Sequence, residues 1–398
     1  INSEGICSGC VVHEEKDSLD WEDRLKKLKK IIKPYLSRSG KNYDCIIPVT
    51  GAQDSYYIVY VAKKIGLRPL LVSYNKYFNT ELGIINLANL RIKFDCDILY
   101  QNVNPTSVKK ISKYTFYEHG NIYWPILAGH TVYPVQVAVK YKIPLIIWGA
   151  HQGIEQVGMF SHLHEVEMTR RNRHDHDILN LEAEELLSIS NNLTEDDIFQ
   201  YIYPNDKEIN SIGVRGIYLG NYIRWDPLAQ HLDMIQKFGY KGSKFNRTFD
   251  CYDYADCFNY MNLHDYLKIC KHGYSKVTDH ACREIRHKRI TREEGIALVK
   301  KYELIPPQYV DLFCKWLGIN DLKSLNYIIN RFRNKLYWEE YDVDKWRFKG
   351  LSNSLSKGHI KIKNTEAEKK INKYYLSKNN FQKKQKSNYI IFGKGIDR

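Results

Sequence analysis

The sequence predicts an α/β protein: a parallel sheet with helices on both faces, a mainly helical C-terminal region and a small Cys-containing N-terminal segment. Three observations carry this reading. The apolar run Cys45 to Val49 is followed by small and polar residues, Thr50 to Ser55, and then by the apolar-periodic run Tyr56 to Ile65, which reads as strand, turn and helix. That alternation recurs up to about Asp226, and strands separated by helices pair in parallel. From Asp250 onward the apolar spacing is mainly helical. The expected domains are 1–43, 44–248 and 249–348, with a basic tail at 349–398.

The N-terminal segment holds Cys7-Ser-Gly-Cys10 in a Gly-bearing turn, then a charged helix from Trp21 to about Tyr35. A C-x-x-C turn aims two thiolates at one point and supplies half of a tetrahedral zinc site. Two packed or exposed thiols fit the same spacing, and Cys251, Cys257, His264 and Cys282 are further candidate ligands that nothing in the spacing selects.

The turn Thr50 to Ser55 is the expected phosphate site. Small residues at Thr50, Gly51 and Ala52 let backbone N–H groups converge on an anion, and the helix N-terminus adds partial positive charge. Ser55 brings a hydroxyl donor, and Asp54 is placed to cap the helix or to hold Mg²⁺ on the phosphates. No Lys follows as it does in G-x-x-x-x-G-K-[ST], so this is a different kind of phosphate loop.

Further strands are expected at Pro69 to Ser73, Asp97 to Gln101 and Pro144 to Trp148. Helices are expected at Thr80 to Lys93, from about Pro105, and at about Pro125 to Tyr141. Ligands of such sheets sit at the carboxyl ends of strands, which puts Thr50 to Ser55, Tyr74-Asn75 and Trp148 to Gln152 on one rim. Residues 158–177 gather His162, His164, His174 and His176, without a spacing that singles out a metal rather than a polar substrate. Residues 213–226 read as a last strand with a Gly-rich turn. There Arg215 and Arg224 suit carboxylate or phosphate, and Tyr218 and Trp225 suit a ring. Helices follow at Leu181 to Asn191, Asp256 to Lys271, Asp279 to Lys288, Thr291 to Tyr302 and Pro307 to Leu317; Thr291 and Glu294 have capping-box spacing.

At 398 residues the chain can bury one large or two smaller cores, and no run approaches the ~18 apolar residues of a membrane span. Its start, Ile-Asn-Ser-Glu, does not read as a signal peptide, and the lack of an initial Met is expected of a trimmed or partly represented N-terminus. Nine Cys, an odd number and mostly dispersed, point to a reduced, cytoplasmic setting. Of the net charge of +14, most lies in residues 349–398, with 13 Lys/Arg against 3 Asp/Glu. Such a tail lacks the apolar periodicity to fold alone and suits an acidic partner or an anionic membrane face.

The loop resembles the S-G-G-x-D-S loop of the ATP pyrophosphatase (PP-loop) superfamily, with Thr50 for Ser and Ala52 for the second Gly. Together with Tyr74 to Gly83, Leu145 to Gly153, Gln156 to His162, Val214 to Asp226 and Thr278 to Arg286, it resembles the N-acetyl sugar amidotransferase family. The pseudaminic acid branch, of flagellin and lipopolysaccharide or other surface-glycan pathways, is the most similar. The resemblance runs from about Glu4 to Trp316 and leaves out the basic tail.

The resemblance implies a PP-loop, adenine nucleotide alpha hydrolase-like core that uses ATP and Mg²⁺ to turn the acetamido group of a nucleotide-linked N-acetyl sugar into acetamidino, with ammonia from a separate glutaminase. It also implies a four-Cys zinc knuckle, of which Cys7 and Cys10 would be one pair; its second C-x-x-C would lie upstream of the sequence given. On this reading Thr50, Gly51, Ala52, Gln53, Asp54 and Ser55 bind pyrophosphate, and Tyr74, Asn75, Trp148 and Gly149 lie on the nucleotide side. Asp54, Ser55, His151 and Gln152 would serve catalysis, while Arg215, Tyr218, Arg224 and Trp225 would bind the sugar or its carboxylate. The two other readings are a PP-loop RNA-thiolating enzyme and a non-catalytic scaffold. The basic charge sits away from the loop and this chain has a single C-x-x-C, so no nucleic acid is expected. Retention of Asp54 and Ser55 speaks against the scaffold.

Overall fold

The computed structural model describes residues 6–37 and 39–350; the basic tail lies outside the described residues, apart from Lys349 and Gly350. A five-stranded sheet has the order β3-β2-β1-β4-β5. Its strands are β1 (Cys45–Pro48), β2 (Pro69–Tyr74), β3 (Ile98–Gln101), β4 (Leu145–Trp148) and β5 (Arg215–Tyr218), and every pairing is parallel. The alternating side chains of these strands explain why they are buried on both sides. Cys45, Ile47, Leu71, Leu145, Ile147 and Ile217 pack into one core with α3 (Gln53–Lys64). Ile46, Leu70, Val72 and Ile146 face the other way, onto α6 (Trp124–Tyr141). Because β2 and β4 flank β1 on opposite sides, the carboxyl ends of β1 and β4 frame the switch point where open α/β sheets hold ligands.

The remaining helices differ from the sequence reading mainly at their ends. The Cys7/Cys10 segment is not a loose turn, because Cys7 caps α1 (Ser8–Ser18), which is followed by α2 (Trp21–Ile32). The second helix of the sheet, α4, runs Glu81–Phe94, and α5 runs Pro105–His119. The helix expected from Asp256 starts as a wide π turn at Tyr260–His264 before Asp265–His272. The helix expected from Asp279 begins earlier, at Lys276, and Thr291 and Glu294 form the expected capping box. Helices Pro227–Phe238 and Leu322–Arg331 and the hairpin Trp338–Asp342/Lys345–Phe348 were not expected. No described helix is long and apolar enough to cross a membrane.

The C-terminal region is locked to the sheet rim by backbone contact. Thr80 N–H donates to the Asp256 carbonyl, and Phe258 N–H to the Phe78 carbonyl. A Cβ at Gly83 would collide with the Asp256 backbone, so only glycine permits this approach. Inside the region, Arg247 and Asp265 form an ion pair at 2.9 Å with both side chains fully buried, and Asp265 also accepts from Lys276 N–H at 2.6 Å. Removing one partner leaves a buried charge uncompensated. Asp265→Ala should therefore cost about 3–5 kcal/mol, read as a lowered denaturant midpoint; an unchanged midpoint would refute this role for the pair.

Candidate active site

The loop after β1 is held open by its own side chains. Ser55 Oγ accepts from Thr50 N–H at 2.8 Å, and Thr50 Oγ1 accepts from Ala52 N–H at 3.1 Å. Gly51 is pressed against the Gly83 carbonyl, where a Cβ would not fit. Ala52 has ordinary extended angles (φ −88°, ψ 162°), so a second glycine is not needed there. As the N-cap of α3 it offers no side-chain acceptor; Ser55 N–H reaches back to the Ala52 carbonyl at 3.3 Å, which leaves Gln53 and Asp54 N–H as the first-turn donors for an anion.

Three cavities meet around this loop. The switch-point cavity, of about 250 Å³, is lined by Thr50, Ala52 to Ser55, Val72, Tyr74, Lys76, His130, Tyr133, Trp148, Gly149 and Gln152, among others. A groove of about 400 Å³ runs from Thr50 and Gly51 along α4 past Asn75, Ile84, Leu87 and Tyr100. A lateral cavity of about 260 Å³ lies between the loop and the helix Lys276–Arg286, with His13, Trp225, Tyr252, Tyr274 and Arg286 in its walls. The switch-point and lateral cavities share Gln53, Asp54, Gln152, Tyr252 and Asp253. Two chambers thus open onto the same two carboxylates, Asp54 and Asp253.

Asp54 is half-buried rather than an open rim residue, and has no hydrogen-bond or ion-pair partner among the described residues. Burial, and then the charge of Asp253, push its carboxyl up to about 7. Asp253 moves the other way. Burial would raise it, but the hydrogen bond from His280 and the charges of Lys276 and Arg283 bring it below the ordinary carboxylate range. His280 Nε2 lies 3.1 Å from Asp253 Oδ2, and its Nδ1 lies 2.7 Å from Thr248 Oγ1, which fixes the ring. One carboxylate with a raised value facing one with a lowered value is a pattern of acid–base or metal sites. Two carboxylates with oxygen still to offer also fit a hard divalent cation that keeps waters and phosphate oxygens as its other ligands.

The other expected site residues divide sharply. Tyr74, Trp148 and Gly149 line the switch-point cavity, Gln152 lines two cavities, and Trp225 lines the lateral one. Tyr74 contributes its ring, since its hydroxyl is engaged by Tyr201 at 2.7 Å. Asn75 lies in the α4 groove and bonds Asn102. His151 does not reach a cavity wall: it is buried against Phe160 and Tyr218, and its Nδ1 accepts from Gly153 N–H as a helix cap. Burial and the nearby His176 lower it to about 4, so it is neutral at pH 7. Tyr218 packs on that ring and lines none of the three cavities.

Arg215 and Arg224 are not brought to the site either. Arg215 starts β5, so it sits at the amino end of the sheet, where its guanidinium clasps Glu167 at 2.6 Å. Arg224 bonds Asp17 at 2.7 Å and the Lys16 carbonyl. Cys7 and Cys10 sulfurs are 3.3 Å apart and free, with Arg286 Nη2 3.8 Å from Cys7. Among the described residues no group of three or more His, Cys, Asp or Glu is gathered to hold a metal ion, so zinc finds two ligands and a guanidinium here.

Four residues of the site were missed: Lys76, Asp253, His280 and Arg283. Lys76 is the single Lys or Arg lining the switch-point cavity; it is 3% exposed and paired with Asp256 at 2.6 Å. It lies in the Tyr74 to Gly83 motif, and His280 and Arg283 lie in the Thr278 to Arg286 motif, so the signal was present without a role attached.

The helix that walls the lateral cavity lies in a stretch similar to a described family. Residues 243–352 match the family model of the LPS biosynthesis protein WbpG-like, C-terminal domain. Comparison with curated proteins finds no match. Among solved structures, NMN synthetase from Francisella tularensis is similar at 12% identity and a TM-score of 0.29, over 57% of this chain and 99% of that one. NH3-dependent NAD synthetase from Campylobacter jejuni subsp. jejuni NCTC 11168, in complex with the nitrate ion, is similar at 11% identity and a TM-score of 0.28, over 57% and 99%.

Proposed function

We propose that the chain is an ATP-dependent amidotransferase of bacterial surface-glycan biosynthesis, which converts the acetamido group of a nucleotide-linked N-acetyl sugar to acetamidino. The observation that carries this reading is the meeting of two chambers at Asp54, one behind a phosphate-type loop and the other walled by a domain that matches an LPS-biosynthesis family. The loop's likeness to PP-loops and the motif resemblance given above support the choice of chemistry. The pseudaminic acid branch remains part of this proposal, as do the glutaminase partner and the cytoplasmic setting.

In this mechanism ATP lies in the switch-point cavity, its base between Val72, Tyr133 and Trp148 and its phosphates on the loop. The amide oxygen of the sugar attacks the α-phosphorus, the bond to the bridging oxygen breaks, and pyrophosphate leaves. Ammonia then adds to the activated carbon, AMP departs with the former amide oxygen, and a proton is lost. Gly51 to Ser55 and the α3 N-terminus hold the departing pyrophosphate, with Lys76 placed to exchange Asp256 for phosphate oxygens. Asp54 and Asp253 would hold Mg²⁺, which when bound screens the phosphate charge. Gln152, on the wall of both chambers, is placed to hydrogen-bond the reacting amide.

The test is product stoichiometry. With ATP, Mg²⁺, ammonium and a panel of nucleotide-linked N-acetyl sugars, AMP and pyrophosphate should appear together and only when the accepted sugar is present. Release of ADP, or thiolation of tRNA with no response to any sugar, would contradict the proposal.

A further inference from the structure

The lateral cavity has chemistry of its own. Its acids other than Asp54 have partners: Glu155 pairs with Lys16 at 2.5 Å, Asp279 with Lys268 at 2.5 Å, and Asp253 accepts a hydrogen bond from His280. Its cations are committed as well. Arg283 bonds Asp250 at 2.6 Å and Glu284 at 2.8 Å, and Arg286 donates to the carbonyls of Glu155 and Gln156. Its imidazoles His13 and His287 pack edge to face, and burial lowers them to about 3 and about 4, so they carry no charge at pH 7. A chamber with no uncommitted cation is a poor phosphate site. The switch-point cavity differs in having the loop and the α3 N-terminus, while its one lysine, Lys76, is paired with Asp256.

What remains to the lateral cavity is aromatic surface and neutral hydrogen-bonding groups. Tyr274 is the partly exposed ring, with Lys268 over one face, the buried Trp225 and Tyr252 complete the aromatic wall, and Gln53, Gln152, Gln156, His13 and His287 bring donors and acceptors. This is the equipment for a neutral, polyhydroxylated ring. With both arginines paired, it suits one ring with its neutral substituents and offers nothing to the diphosphate of a sugar nucleotide.

Resting on the function proposed above, we propose that the lateral cavity is the acceptor pocket, and that it takes the N-acyl sugar ring alone, with the amide at the neck by Asp54 and the nucleotide carrier outside. Tyr274 and His13 are then specificity-determining residues that never meet ATP. Asp54, which lines both cavities, marks where the amide oxygen and the α-phosphorus would meet.

Saturation-transfer NMR on the full chain, with UDP-N-acetylglucosamine as probe and ATP affinity measured alongside, tests this. In the parent protein the acetyl methyl and ring protons of the probe should be strongly saturated and the uracil protons weakly. Tyr274→Ala should weaken probe binding about tenfold, the upper range for one aromatic face, with the ATP Kd unchanged. Trp148→Ala should do the reverse. His13→Ala gives a second reading should Tyr274→Ala fail to fold. Strong uracil saturation, absence of probe binding, or unchanged probe affinity in folded Tyr274→Ala and His13→Ala proteins would each overturn the assignment. Failure of the broader reading shows separately, as a parent protein that does not bind ATP.

Discussion

Asp54→Asn should reduce AMP formation about a hundred- to a thousandfold while leaving the protein folded, the loss expected when one charged element of a phosphoryl-transfer site is removed. The carboxylate lines both chambers and has no partner among the described residues, so little of the packing depends on its charge. Its cost to the metal-free fold can be given a sign. The unfolded chain releases this proton near 3.9 and the folded protein holds it up to about 7, so the stabilisation is complete at low pH and is lost as pH rises through that window. Asn cannot ionise. Without metal, the variant should therefore equal or exceed the parent in stability above pH 7, and its stability should be flatter between pH 4 and 7. AMP formation at the parent rate by a folded Asp54→Asn protein would remove Asp54 from the mechanism.

Ammonium salts should support turnover by the isolated chain, whereas glutamine should not until a glutaminase is added. Ammonium has no lone pair, so the rate should rise by about tenfold per pH unit while the free base is the minor form. Ionisation of Asp54 through about 7 acts in the same direction at the lower end of that range. None of the nine Cys lies in a recognisable glutaminase motif, and four of them, Cys45, Cys257, Cys270 and Cys314, are buried. Steady-state AMP release with each nitrogen source measures this directly. Glutamine-driven turnover by the purified chain alone would contradict the need for a partner.

The sheet was legible because its strands are short, apolar and separated by amphipathic helices, so Cys45 to Val49 and Leu145 to Trp148 admit few other readings. The loop was legible because small residues, a hydroxyl and a carboxylate occur together at a strand-to-helix turn. The far wall of the site was not. Asp253 and His280 are separated by 27 positions, and Lys76 meets Asp256 across 180; no periodicity marks such pairs. Arg215 shows the converse failure. Its chemistry suits an anion, but its place at the start of β5 fixes it at the amino end of the sheet, where Glu167 meets it. His151 likewise has the right residue type on the right rim, and its ring turns inward to cap a short helix.

On the proposed mechanism an amide oxygen leaves with AMP and nitrogen takes its place. Mass spectrometry of the recovered sugar, after incubation with the protein, ATP, Mg²⁺ and ammonium, tests it most directly. Replacement of O by NH makes the product one mass unit lighter, and ¹⁵N-ammonium should restore that unit. An N-acetyl sugar recovered at its original mass while ATP is converted to AMP would contradict the account.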